Sequence, residues 1–373
     1  MKNHLSMYIL AVSLFFTPIY SQTSTFSLGE LNPYFKEYLK PMALGMTTGM
    51  GHGWSHDVKP HDKWGFDLSV SAVLVEIPNS ELMFSSSALT SLTANGYQFL
   101  DASGNLITNF ELPTISSDQT TNISIQRDIN PNGGTPVDME LLDGLMPYAY
   151  APNFAVQLAA GLPLGTEVMV RFLPNMASTI NEAADIEEIK VNDLSIWGLG
   201  VKHDIKQWIP SLSDVKLLDV SALLAFSVFN LDVGTDDFPF TPEELLTGVN
   251  INYKSGLTSA DFERQGFDMN MKSLNGALLF GLNIPVVRPF VGVGFNRATV
   301  STGLTGTLPL IYYIDDDNVD IDIDPVGLRV DAEKTFINFQ TGVSLKLLFL
   351  TLYGQYTYQQ YSMYSAGISL GFK

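Results

Sequence analysis

The chain has 373 residues, no cysteine, and 20 basic against 39 acidic side chains, a formal net charge of −19. The missing cysteine excludes disulfide frameworks, thiolate metal sites and cysteine nucleophiles, and the acidic balance excludes nucleic acid, whose phosphates need a basic surface. Past residue 21 no stretch approaches the roughly 18 consecutive apolar residues of a membrane-spanning helix, so any membrane crossing must be made by strands.

The first 21 residues have the layout of a secretory signal. Lys2 gives the positive start, Met7 to Phe16 the apolar core and Ser21 a small residue before Gln22, so cleavage is expected near Ser21 and Gln22. The remaining 352 residues (373 less 21) keep 19 basic groups, because Lys2 leaves with the signal. Ser27 and Glu30 then have the spacing of a capping box, and Leu28, Leu31, Phe35 and Leu39 recur at helical spacing until Pro41. A short helix over 22–40 is expected, either packed under a barrel rim or lodged in the lumen as a plug.

From Pro41 to the end, 41–373, the pattern reads as strands. Gly45, Gly49, Gly51 and Gly53 mark a flexible first strand. In the next, Phe66, Leu68, Val70, Ala72 and Leu74 share one face while Asp67, Ser69 and Ser71 share the other. An aspartate is costly against lipid, so Asp67 and Ser69 are assigned to the lumen of a barrel. Residues 78–152 break the rhythm with Ser, Thr, Asn and Pro, and hold one hairpin signal with Ser103-Gly104-Asn105 as its turn. An insertion this long reads as an element folding over or into the barrel mouth.

Alternation returns at Phe154, Val156, Leu158, Ala160 and Leu162, then at Val168, Val170 and Phe172 opposite Glu167 and Arg171, up to Pro174. Glu167 and Arg171 are too far apart on one strand to touch, so each is expected to pair with another strand. A short interfacial helix ending at Pro210 would hold Trp208 at headgroup level. Asp219 lies opposite the apolar face Leu218 to Val228, and Asn338 and Gln340 lie opposite Ile337 to Leu345. Glu167, Arg171, Asp219, Asn338 and Gln340 join Asp67 and Ser69 as lumen-facing candidates. Tyr353, Tyr356, Tyr358, Tyr361 and Tyr364 suggest an aromatic girdle, and Tyr364, Ala366, Ile368, Leu370 and Phe372 form the oily face of a closing strand. The expected fold is all-β, a transmembrane antiparallel β-barrel of about 14 strands with a short N-terminal helix and a long insertion, allowing roughly 20 to 25 residues per strand and connection.

Few residues offer chemistry. Gly367-Ile368-Ser369-Leu370-Gly371 spells a serine-hydrolase pattern, but that motif works on a strand-to-helix turn and here no helix can follow. His52, His56 and His61, with Asp57 and Asp62, could be imagined round a metal; the glycines and alternation favour separate polar positions at the barrel rim. Asp315, Asp316, Asp317, Asp320, Asp322 and Asp324 are the densest charge, read as a solvated external hairpin with weak calcium bridging as the alternative, since the calcium-loop glycine and terminal glutamate are absent. No cofactor and no catalytic set is implied.

The pieces PYFKEYLKPMALGMTTGMGHGW, KWGFDLSVSAVLVEIP, GLPLGTEVMVRFLP and WGLGVKHDIKQWIP together resemble a family of uncharacterised outer-membrane β-barrel proteins from Bacteroidetes. That family is in turn distantly similar to FadL-type channels for hydrophobic compounds, which implies a barrel with an N-terminal hatch and carries over no defined site residue. The expectation is a non-enzymatic outer-membrane protein, bounded by lipid and lipopolysaccharide, that passes or binds a small hydrophobic ligand; the alternative is an anchor presenting acidic loops.

Overall fold

The computed structural model describes residues 25–26, 28–127, 137–144, 150–173, 175–178, 181, 190–235, 250–262, 265–315, 318–324 and 328–372. Ten antiparallel strands close into a barrel: β1 (Phe66–Glu76), β2 (Tyr150–Leu162), β3 (Thr166–Leu173), β4 (Lys190–Asp204), β5 (Leu218–Thr235), β6 (Gln265–Leu282), β7 (Val287–Thr305), β8 (Arg329–Leu347), β9 (Leu350–Tyr358) and β10 (Met363–Phe372). Each strand pairs with its neighbours in sequence, and β10 returns to β1 with Phe66 opposite Phe372. The expected count of about 14 is therefore corrected to ten. Residues were assumed to be spread evenly, whereas the β1–β2 connection alone takes 77–149, and β5 to β8 run to 18 or 19 residues each.

The two ends of the barrel differ. At one, the turns are Pro163–Gly165, 205–217, 283–286 and Leu348-Phe349; at the other, the connections 77–149, 174–189, 236–264 and 306–328 are long, and only 359–362 is short. On the wall, Phe154, Ile337 and Phe172 are 71%, 66% and 59% exposed, while Asp67, Ser69, Glu167 and Arg171 turn inward and are buried. A soluble barrel has the opposite polarity; this outer surface is one that meets lipid. Exposed Tyr150, Tyr358 and Tyr364 border the apolar belt toward the long loops, and Trp64 and Trp208 border it toward the short turns. The expected five-tyrosine girdle is corrected, since Tyr353 and Tyr361 are buried. Tyr353 falls on the lumen phase of β9 and its ring stacks on His56.

The glycine-rich stretch expected as a first strand is helical as far as Met50 and irregular through Gly51 and Gly53. α1 runs Asn32–Met50, with Pro33 in its first turn and Pro41 inside it. A proline inside a helix costs about 3 kcal/mol, and here burial of Met42, Ala43 and Leu44 against the barrel interior works against that cost. In an enclosed lumen a helix also satisfies its own backbone, which a lone strand there could not do. Gly49 is required by closeness: a Cβ on it would lie 2.3 Å from Asn153 Nδ2 and 2.7 Å from a Val75 methyl. Ser27 of the expected capping box lies outside the described residues; Glu30 accepts a hydrogen bond from Tyr97. Pro210 begins the short helix Pro210–Ser213, where its missing N–H is harmless, rather than ending one.

α1 occupies two environments. With Leu31 just before it, its upper half places Tyr34, Phe35 and Tyr38 in the core of a cap made by the long β1–β2 connection, with Phe84, Leu89, Leu92, Phe99 and Leu112. Tyr34 accepts from the Leu142 amide and Tyr38 donates to the Asp143 carbonyl, and burial pushes both phenols above their ordinary range, so they stay neutral. Within the cap, Tyr97–Leu100 pairs with Leu106–Ile107 across the turn at Ser103-Gly104-Asn105. The lower half of α1 lies inside the barrel against Val73, Val75, Phe229, Met271, Val300 and Phe336.

Candidate functional site

The lumen below Met50 is built from pairs that the strand register dictates. Arg171 Nη1 and the Ser227 hydroxyl both donate to the Met50 carbonyl, at 2.9 and 3.2 Å, and Asn296 donates to the Thr48 carbonyl. These wall groups satisfy the carbonyls that any helix leaves unpaired at its C-terminus, and the guanidinium matches the negative end of the helix dipole. Arg171 also donates to Gln157 at 3.0 Å and lies 4.1 Å above the Trp54 ring.

Beneath this layer the plug continues as residues 51–65 and is held by charge. Glu167 faces Lys202 across the β3–β4 ladder at 3.0 Å and takes the His61 amide and ring Nδ1 at 2.8 and 2.7 Å. Lys202 donates onward to Ser55 and to the Asp57 carbonyl, while the Asp57 carboxylate receives Arg288 at 2.5 Å. Asp67 accepts from Ser369 at 2.7 Å and faces His56 and His61 at 3.0 and 3.5 Å. The chain thus threads the lumen from one rim to the other.

Among the described residues the wall is not laddered up to the long-loop rim everywhere: β8 has no β9 partner before Phe339, and β2 and β3 part below their upper ends. The β2–β3 ladder runs from Leu162 opposite Thr166 to Gln157 opposite Arg171, and stops. Beyond it β2 continues to Tyr150 with β1 as partner, and β4 to Lys190 with β5 as partner. The β4 side is covered where the Met176 amide donates to Leu194 and Asn175 accepts from the Leu194 amide. Among the described residues no backbone hydrogen bond covers the β3 side of 150–156. Pro152 stands in this edge and has no N–H to offer. An apolar recess of about 60 Å³ marks the split, lined by Val70, Phe154, Val156, Phe172, Leu173 and Ile196, with Arg171 on its lumen side.

The sequence-assigned lumen residues fall in distinct places. Asp67, Ser69, Glu167, Arg171, Asp219 and Asn338 are buried inside; Gln340 is half-buried and accepts from Gln355. Glu167 and Arg171 find separate partners on β4 and β2, and do not pair with each other. The three histidines were expected at separate rim positions; instead His56 and His61 converge on Asp67, while His52 lies apart between Thr357 and Ser365. Their convergence follows from plug residues meeting β1 and β3, which no local spacing reveals. Lys202 could have been found, because it shares the inward phase of β4 and stands opposite Glu167. Ser369 lies mid-strand with its hydroxyl donated to a carboxylate, not poised as a nucleophile. Asp316 and Asp317 lie outside the described residues; Asp315 and Asp324 end the two strands of the hairpin Leu308–Asp315 and Asn318–Asp324. Asp320 and Asp322 are half-buried, and a hydrogen bond from Lys254 holds Asp322 below the usual carboxylate range. Among the described residues no group of three or more His, Cys, Asp or Glu is arranged to hold a metal.

Several solved barrels are similar in outline. The translocator domain of the autotransporter NalP from Neisseria meningitidis shares 11% identity over 84% of this chain and 90% of its own, with a TM-score of 0.29. The COG4313 outer membrane channel from Pseudomonas putida F1 shares 9% over 85% and 99%, at 0.23. Ail, the attachment invasion locus protein of Yersinia pestis, shares 9% over 50% and 91%, at 0.23. No curated protein matches. Residues 1–372 match a family of unknown function, DUF6588, and the chain belongs to that family.

Proposed function

We propose that the chain is a non-enzymatic outer-membrane barrel, exported by a cleaved signal, that admits or binds a small hydrophobic compound through its wall rather than along its axis. The observation that supports this is the split between β2 and β3 beside a filled lumen. An uncovered strand edge in hydrocarbon costs several kcal/mol per unsatisfied backbone group, so an apolar occupant that shields the edge gains by entering. The recess of about 60 Å³ is far smaller than the roughly 300 Å³ or more of a ligand pocket, which suits a closed doorway.

The test uses the cysteine-free background. Val156 and Phe172 would be the next facing pair if the ladder continued past Gln157 and Arg171, and both are exposed outward. In proteoliposomes, linking Val156→Cys to Phe172→Cys should abolish uptake of a hydrophobic dye, and reduction should restore it. Uptake that survives the cross-link, or rapid nonselective sugar flux through the native protein, would remove the lateral route.

A second reading, an anchor presenting its outer elements to a partner, is favoured by the cap having a core of its own. Replacing exposed cap residues such as Leu106, which is 64% exposed, would then abolish partner binding and leave dye uptake unchanged.

A further inference from the structure

We infer that the polypeptide enters the barrel from its long-loop end, so that the residues preceding α1 stand on the opposite face of the membrane from the beginning of β1 and the end of β10. The inference rests on the membrane-barrel reading and adds a topology to it. At the long-loop end, Thr25–Phe26 pairs with Tyr312 and Ile311 of the β7–β8 connection, and Asn32 accepts from the Arg329 amide where β8 begins. Leu31 and Tyr34 share the cap core with Leu328 and Val330 at that rim.

Half-way down, Asn296 and Ser227, both mid-strand, grip the Thr48 and Met50 carbonyls. Lower still, Ser221 near the start of β5 donates to the Val58 carbonyl at 2.7 Å. At the short-turn rim, the Trp64 amide donates to Gly161 at the β2–β3 turn, and β1 starts two residues later. Each successive plug residue therefore touches wall residues one level further along. With long loops outside and short turns in the periplasm, as in bacterial barrels generally, Thr25–Phe26 stands on the cell-surface side.

Single cysteines decide the matter because the native chain has none. Thr25→Cys, Ser255→Cys in a long connection and Ser213→Cys in a short one are expressed in cells and treated with a membrane-impermeant maleimide. Thr25→Cys should label to the same extent as Ser255→Cys, with Ser213→Cys unlabelled until the outer membrane is permeabilised. If Thr25→Cys follows Ser213→Cys instead, the inferred path is wrong while the barrel reading stands. Equal labelling at Ser255→Cys and Ser213→Cys defeats both. Should Thr25→Cys assemble poorly, an epitope inserted ahead of Thr25 and probed by antibody on intact cells gives the same two-way answer.

Discussion

The two halves of the plug are secured by different forces. Inside the upper barrel α1 offers Met42, Ala43 and Leu44 to Val73, Val75, Phe229 and Met271, a contact that tolerates small slips. Below Met50 the chain is fixed by Glu167–Lys202, Asp57–Arg288 and His56–Asp67, where each group has a named partner. Apolar packing is non-directional, whereas a buried ion pair fails as soon as one member is lost. The lower half should therefore set the register of the plug and the upper half supply its bulk adhesion.

The strongest way to break this contrast is Lys202→Met. It leaves Glu167, buried at 2% exposure, facing His61 alone and should cost about 3–5 kcal/mol in urea unfolding followed through the buried Trp54. Gly49→Val attacks the other half: its side chain meets Asn153 and Val75, and overpacking of this kind costs about 1–3 kcal/mol. Hydrogen exchange should then open residues 42–50 first in Gly49→Val and residues 51–65 first in Lys202→Met. Identical exchange patterns in the two variants would show the plug to be one unit. Outside the membrane, Tyr38→Phe removes the hydroxyl held by Asp143 and should cost about 1 kcal/mol, read as earlier proteolysis of the cap. The smallest effect has the opposite sign. Leu348 sits at φ 55°, in the left-handed region, so Leu348→Gly relieves that strain against glycine's larger entropy loss and should gain about 0.5 kcal/mol in detergent.

How much of this was legible follows the same division. Strand alternation exposed the wall, because lipid on one side and an enclosed interior on the other impose a two-residue period on β1 and β10. The hairpin turn at Ser103-Gly104-Asn105 was legible for a local reason, turn chemistry. The plug was not: Pro41 and the two helix glycines argue against a helix, and only the shape of the space around Gly45 and Gly49 explains them. The inward residues of the site could be placed by phase, but His56 meeting Asp67 depends on how a non-strand segment lies across the sheet. The wall split was half visible. Strand β3 was seen to end at Pro174, yet nothing local says that β2 outruns it.

Closure of the wall between β1 and β10 has one further consequence. The seam joins Phe66 to Phe372, the longest separation in sequence of any strand pair in the barrel, so it carries a heavy loop-closure entropy and must form late. Until it zips, α1 and the charged segment after it can be laid into an open sheet from the side. Once it has zipped, they are enclosed like a cable in a sleeve, and sideways exit would require the sheet to part again. Mechanical pulling on residue 25 should therefore draw α1 along the barrel axis and meet its main resistance at the buried ion pairs below Met50, not at the seam.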